Sequence, residues 1–215
     1  MIAEEHVFET RAALAVGLAS DVAAALRKAV ADKGKATLAV SGGTTPKLFF
    51  AELSKADVPW PRVTVTLVDE RQVPETSTRS NARLVREHLL NATAAKFVPL
   101  FGNPHAADLA LDTVILGMGE DGHTASFFPG GDGLATALDP ATAERIVEMT
   151  APGAGEPRLT FTLPVLLAAR FIALHFEGTA KRAVLDRALQ EGAVEAMPVR
   201  AILRSKSPVM LYWCP

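Results

Sequence analysis

Residues Thr113–Gly130 read TVILGMGEDGHTASFFPG, and the fold turns on how that stretch divides. Thr113 to Leu116 are β-branched or aliphatic throughout, which suits a strand buried on both faces of a parallel sheet, and Gly117 ends it. A loop therefore starts where the strand's carboxyl end emerges. In open α/β sheets ligands bind at that edge, because loops leaving neighbouring strands diverge there and open a crevice. Glu120, Asp121 and His123 are expected to look into it.

Working outward, strand and helix patterns alternate on both sides. Upstream, Leu14, Leu18, Val22, Leu26 and Val30 recur every four positions as the apolar stripe of a long helix that Gly34 ends. Ala36–Val40 reads as a strand, followed by Ser41-Gly42-Gly43-Thr44-Thr45-Pro46, where Thr45 is placed to cap a helix and Pro46 to open it. Leu48, Phe49 and Leu53 are expected to face inward from that helix. Val63–Val68 is a second buried-looking strand, and the charged triplet Asp69-Glu70-Arg71 leaves its end. Ser80 is placed to cap a helix carrying Leu84, Val85, His88 and Leu89.

Downstream, Arg145–Met149 and Leu159–Thr162 read as short strands, Leu163–Ala169 as a helical turn or two, and Phe171–Phe176 as a further strand. Lys181–Leu189 reads as a helix with Val184, Leu185 and Leu189 inward, and Met210–Trp213 as the strand that closes the sheet. Such alternation predicts α/β architecture, a largely parallel sheet with helices on both faces, in one domain spanning residues 1–215.

Composition narrows the function classes. With 49% hydrophobic residues, 21% charged and a net charge of −2, the chain is expected to be an ordinary globular protein with no basic patch to track a nucleic acid. No apolar run approaches bilayer length, so no membrane partner is expected. Cys214 is the only cysteine. It has no internal partner, and nothing from Met1 to Thr10 reads as a leader, so a cytoplasmic location is expected. No histidine pair at helical spacing and no cysteine cluster suggests a metal set.

Three loops at strand ends carry the chemical groups: Ser41–Thr45, Asp69–Arg71 and Gly117–His123. The first puts hydroxyls and approachable N–H groups at a helix amino end, which suits a phosphate, although a strand-to-helix turn needing glycine only for its backbone angles has the same spelling. It is not a Walker loop, because the Gly-Lys-Ser/Thr ending is missing. Gly117 to Gly122 spells G-x-G-x-x-G, yet no acidic strand end follows about 20 residues later, as a dinucleotide site requires. His123 follows instead. A histidine two residues from Asp121 suits proton transfer, while the same pair standing alone is also met as a structural contact.

Arg71 and Lys181 are the cations assigned to an anionic substrate. A guanidinium at a strand's end can clamp phosphate bidentately, and a lysine in a helix's first turn opposes the dipole unless an anion sits there. Arg158 is a weaker candidate. His6, His88, His105 and His175 lack partnered spacing and read as packing or surface residues.

At these residues the sequence resembles the 6-phosphogluconolactonase family over nearly its whole length. The likeness is carried by SGGTTPKLFF from Ser41, VDERQVP from Val68, SNARLVREHLL from Ser80, LGMGEDGHTASFFPG from Leu116, RLTFTLPVLLAAR from Arg158 and the turn from Gly178 to Lys181. Glucosamine-6-phosphate deaminases share the fold and the Asp-Gly-His turn. They carry a glutamate just before Pro-Gly, where this chain has Phe128.

The resemblance implies a three-layer α/β sandwich with a mostly parallel central sheet, of the deaminase/ribose-5-phosphate isomerase/CoA-transferase type, working without a cofactor. It implies hydrolysis of 6-phospho-D-glucono-1,5-lactone to 6-phosphogluconate, the second step of the oxidative pentose phosphate pathway. His123 is then the general base with Asp121 beside it. Ser41, Gly42, Gly43, Thr44, Asp69, Arg71 and Lys181 would bind the substrate. The implied partner is a small phosphorylated sugar lactone, with the chain a monomer or weak homo-oligomer. An amino-sugar-phosphate deaminase or isomerase with Asp69 as base, and a sugar-phosphate sensor without turnover, are the alternatives. The link from Phe101 to Leu111 is shorter than is usual in the family.

Overall fold

The computed structural model describes residues 1–215. Strands and helices follow as β1 (Ile2–Val7), α1 (Arg11–Lys33), β2 (Ala36–Val40), α2 (Lys47–Leu53), β3 (Val63–Leu67), β4 (Asp69–Arg71), α3 (Asn81–His88), β5 (Lys96–Phe97), β6 (Thr113–Leu116), α4 (Leu134–Leu138), β7 (Ile146–Met149), β8 (Arg158–Phe161), α5 (Leu163–Leu167), β9 (Phe171–Glu177), α6 (Thr179–Leu189), α7 (Val199–Leu203) and β10 (Val209–Cys214). Seven strands form one sheet in the order β1-β10-β9-β6-β2-β3-β5, with every pairing parallel. A second sheet, β4-β8-β7, is antiparallel. The expected α/β architecture, a mostly parallel sheet flanked by helices, is what the chain adopts.

Local sequence accounts for most of the elements. Thr10 caps α1 by accepting a hydrogen bond from the Ala13 N–H at 3.1 Å, and Gly34 ends the helix at φ 76°. Between those caps Leu14, Leu18, Val22 and Leu26 are fully buried, each contributing about 1.5–3 kcal/mol through removal of apolar surface from water. They pack α1 against α2 and the sheet. All four residues of β6 are buried, as a central parallel strand requires. The hydrophobic interior is one contiguous cluster of 57 residues, so both sheets share a core.

Five details differ from the sequence reading. Pro46, not Thr45, takes the cap position of α2, and no side chain caps that helix. Phe49, Phe50 and Leu53 face inward while Leu48 lies exposed, because α2 packs against α1. In α6 the third inward residue is Ala188 and Leu189 is exposed. β10 does not close the sheet: β1 pairs outside it in parallel register, His6 opposite Tyr212. The triplet Asp69–Arg71 is itself a strand, paired antiparallel with β8. The short link before β6 holds only a 3₁₀ turn at Pro104–Asp108.

Candidate active site

The order of the parallel sheet puts β2, β6 and β9 side by side, so the loops leaving their carboxyl ends are neighbours. Ser41 ties two of these loops together. Its N–H and hydroxyl both donate to the Ile115 carbonyl, at 3.0 and 3.1 Å, and its oxygen accepts from the Gly117 N–H at 3.0 Å. Every residue from Ser41 to Thr44, with Asp69, Arg71, His123 and Lys181, lines one cavity of about 260 Å³. The eight come from four places, after β2, on β4, after β6 and on α6, each at least 25 residues of chain from the next; only the fold unites them. Asp121 is not on the wall and reaches the cavity through His123.

The histidine turn is built from its own backbone. The Gly119 N–H donates to the His123 carbonyl at 2.9 Å and the Gly122 N–H to the Gly119 carbonyl at 3.1 Å. Asp121 folds back so that one oxygen, Oδ1, receives the His123 N–H at 3.0 Å and lies 2.6 Å from Nδ1. Nδ1 then carries its proton toward the carboxylate, and Nε2 is left as the nitrogen that exchanges one. Burial pushes the Asp121 carboxyl up, but the imidazole and backbone donors of His123 outweigh it and hold the group below the usual carboxylate range. Gly119 is required by proximity: a Cβ there would stand 2.2 Å from Nδ1 and Cε1 of His123. Because the Gly117, Gly119 and Gly122 N–H groups are all internally bonded, they are not free to hold an oxyanion.

Behind the turn, Ala125 has φ 48°, a left-handed conformation that costs a non-glycine residue about 1–2 kcal/mol. Two side chains flanking it keep it there. The Thr124 hydroxyl donates to the Gly117 carbonyl at 2.8 Å, and the buried Ser126 hydroxyl donates to Asp69 Oδ2 at 2.5 Å. Arg158 Nη1 lies 3.7 Å from the same Asp69 oxygen. Arg158 also lines the cavity and is anchored by two donations to the Ala154 carbonyl, at 3.2 and 2.6 Å.

On the β4 side, Arg71 Nη1 donates to the Arg79 carbonyl at 2.5 Å and to Asn81 Oδ1 at 3.0 Å, while its Nε is buried without a partner. Asn81 in turn donates to the Asp69 carbonyl at 3.0 Å, and its side chain passes so near Gly42 that a Cβ there would meet it at 1.8 Å. Glu70 points the other way, into the protein. Its carboxylate accepts from the Asn81, Ala82 and Arg71 N–H groups and from the Ser80 hydroxyl, at 2.7 to 3.1 Å. Burial nevertheless pushes Glu70 above the usual carboxylate range, with those four donors offsetting part of the rise. Glu70 therefore fixes the amino end of α3 and, through it, Asn81 and Arg71.

Lys181 stands in the first turn of α6 and faces the cavity. Burial pushes its ammonium below the ordinary lysine range, with Glu177 and Glu120 pulling back through space. Sequence reasoning missed His175 on the same wall. It is 3% exposed, so it packs rather than lying at the surface, and it lines the cavity with Nε2 3.5 Å from Glu177 Oε1 without a hydrogen bond. The signal was available: residues two apart on a strand share a face, and both lie on β9. Asn81 and Glu70 gave no such signal, since each reads as an ordinary helix-start or surface residue. No helix is long and apolar enough to cross a membrane.

Residues 9–213 match the family model described as Glucosamine-6-phosphate isomerases/6-phosphogluconolactonase. A 6-phosphogluconolactonase of Rhizobium meliloti (strain 1021) is 50% identical, with 100% of each chain covered. The crystal structure of a 6-phosphogluconolactonase from Shewanella baltica OS155 superposes with a TM-score of 0.94 at 40% identity, covering 99% of this chain and 97% of that one. A monomeric glucosamine-6-phosphate deaminase shares the fold at a TM-score of 0.79 and 17% identity, covering 98% and 97%. The chain therefore belongs to the glucosamine-6-phosphate isomerase/6-phosphogluconolactonase family, and within it stands with the 6-phosphogluconolactonases.

Proposed function

We propose that the protein hydrolyses 6-phospho-D-glucono-1,5-lactone to 6-phosphogluconate, with His123 as general base. One observation carries the reading: an imidazole whose Nδ1 is held 2.6 Å from a carboxylate opens onto the same cavity as the Ser41–Thr44 loop and Lys181. Nε2 takes a proton from water as the oxygen attacks the lactone carbonyl. The ring C–O bond then breaks, and the imidazolium returns its proton to the departing oxygen. The product acid ionises and releases one proton to solvent.

Negative charge on the carbonyl oxygen needs donors, and the N–H groups of Gly117, Gly119 and Gly122 are already engaged. Arg71 and Arg158, both on the wall, supply the positive field there. Thr44, the backbone of Gly42 and Gly43, and Lys181 grip the phosphate, whose binding energy is spent on placing the lactone. Asp69 reaches the sugar hydroxyls. A cytoplasmic enzyme active as a monomer or weak homo-oligomer, in a single domain, completes the reading.

Proton release from freshly generated lactone, measured above the spontaneous rate, tests it. His123→Ala is expected to lower kcat by about 10²- to 10⁴-fold while product binding persists. Unchanged turnover in that variant overturns the assignment. Ammonia release from glucosamine 6-phosphate would instead establish the deaminase alternative.

A further inference from the structure

Phe128 has no place in the chemistry above, and its ring is 4% exposed and off the cavity wall. Its surroundings are nonetheless those of the reaction centre. The ring centroid lies 4.4 Å from that of His123 at an interplanar angle of 33°, and 5.3 Å from the guanidinium carbon of Arg158. The His123 side chain is about a third exposed, and its only side-chain hydrogen bond is at Nδ1. One bond at one nitrogen leaves a ring free to rock about that bond; an aromatic plane packed on its face removes the motion.

The backbone is arranged to deliver this ring. Left-handed Ala125 turns the chain, Ser126 anchors it on Asp69, and the Phe128 N–H donates to the Ser126 carbonyl at 3.0 Å. Two residues of that strained turn thus hold the Phe128 ring against both the base and a cation. The titratable and charged groups sharing the cavity with His123 are Arg158 from β8, Asp69 and Arg71 from β4, His175 from β9 and Lys181 from α6, with Asp121 on its own turn.

Resting on the hydrolytic reading, we propose that Phe128 is a positioning residue for His123: its ring fixes the imidazole plane and offers a π face to the imidazolium formed during turnover. The face of an aromatic ring attracts a cation, and more strongly when both are shielded from water. The stabilisation therefore appears as the proton moves onto Nε2 and is absent while the imidazole is neutral, which makes it an effect on kcat.

The test compares Phe128→Leu, which keeps the apolar bulk and loses the π face, with Phe128→Tyr, which keeps both. Phe127→Leu, at a fully buried neighbour, controls for loss of packing alone. Lactone turnover is followed across pH together with thermal unfolding, and the His123 ring is titrated by NMR. Phe128→Leu is expected to lower kcat about tenfold with KM little changed, to move the acid limb of kcat/KM to lower pH, and to leave Phe128→Tyr close to wild type. Phe127→Leu should lose thermal stability without the pH shift. If Phe128→Leu does not fold, Phe128→Met, which fills the same space flexibly, takes its place. Unchanged kcat and an unmoved limb overturn the proposal whatever the loss of stability. Absence of lactonase activity in the wild type would strike the functional reading instead, and the ring titration would still decide the role of Phe128.

Discussion

Of the three histidines with a carboxylate two residues away, two line the cavity, and the protein uses them differently. His123 follows Asp121 in a loop; His175 precedes Glu177 on β9. In the loop, the turn through Gly119 and Gly122 bends Asp121 back until its Oδ1 is 2.6 Å from Nδ1, with the side chain partly open to solvent. On the strand, the pleat merely sets the two side chains on one face, and Nε2 stops 3.5 Å from Glu177 in a nearly dry wall. Arg11 takes the other Glu177 oxygen at 3.1 Å, and His175 and Arg11 hold that carboxyl below its usual range against the pull of burial. Equal spacing yields a hydrogen bond where backbone curvature can close the gap, and a looser contact where a strand forbids it.

That contrast can be broken from the loop side with the largest effect. Gly119→Ala forces a Cβ into the imidazole of His123; a displacement of about 1 Å at a reacting group costs on the order of 10²-fold, read as kcat with KM nearly unchanged. Asp121→Asn should fall by a comparable or slightly smaller factor, since the ring loses both its anion and its fixed tautomer. The strand pair should be quieter. Glu177→Gln is expected to keep kcat within about fivefold, the effect of roughly 1 kcal/mol. A kcat loss equal to that of Asp121→Asn would erase the distinction between the two histidines.

Smaller effects lie in stability. His175→Leu removes a buried Nε2 without a good hydrogen bond and should be neutral or raise Tm by about 2–4 °C, the shift expected for 1 kcal/mol in a chain of this size. A fall of several degrees would show that the Glu177 pair is stronger than its length suggests.

The smallest effect is the pH dependence at Asp121. Its folded pKa is depressed, so the unfolded chain binds more protons between the two pKa values. The resulting stability is complete above the ordinary carboxylate value of about 3.9 and is lost as pH falls through the folded value. The Tm gap between wild type and Asp121→Asn should therefore be present at pH 7 and close toward pH 3. A gap that widens on acidification would contradict the direction of the shift.

The loop histidine was legible because glycines, Asp121 and His123 lie within seven residues, and a turn is a local object. The strand histidine was passed over although its period-2 signal was present, because packing on a wall depends on what lies across the cavity. Glu70 shows the limit more sharply. In a charged triplet it looks solvated, yet pairing of β4 with β8 turns it inward, where four donors on and before α3 receive it.

By itself the sequence determined the alternation of strands and helices, the buried character of β6, the cap at Ser80, the helix end at Gly34, and the three polar loops at strand ends. These rest on side-chain periodicity and backbone preference, which act over a few residues. Only the tertiary structure decided that β1, with the polar spelling Ile2-Ala3-Glu4-Glu5-His6-Val7, is the outer strand, because its pairing with β10, in which His6 stacks on Tyr212, holds it there. The tertiary structure alone also turned Glu70 inward, set Phe128 against His123, and drew Arg158 and His175 to the cavity. Those outcomes depend on groups far apart in the chain competing for one dry interior, and no local pattern records who wins.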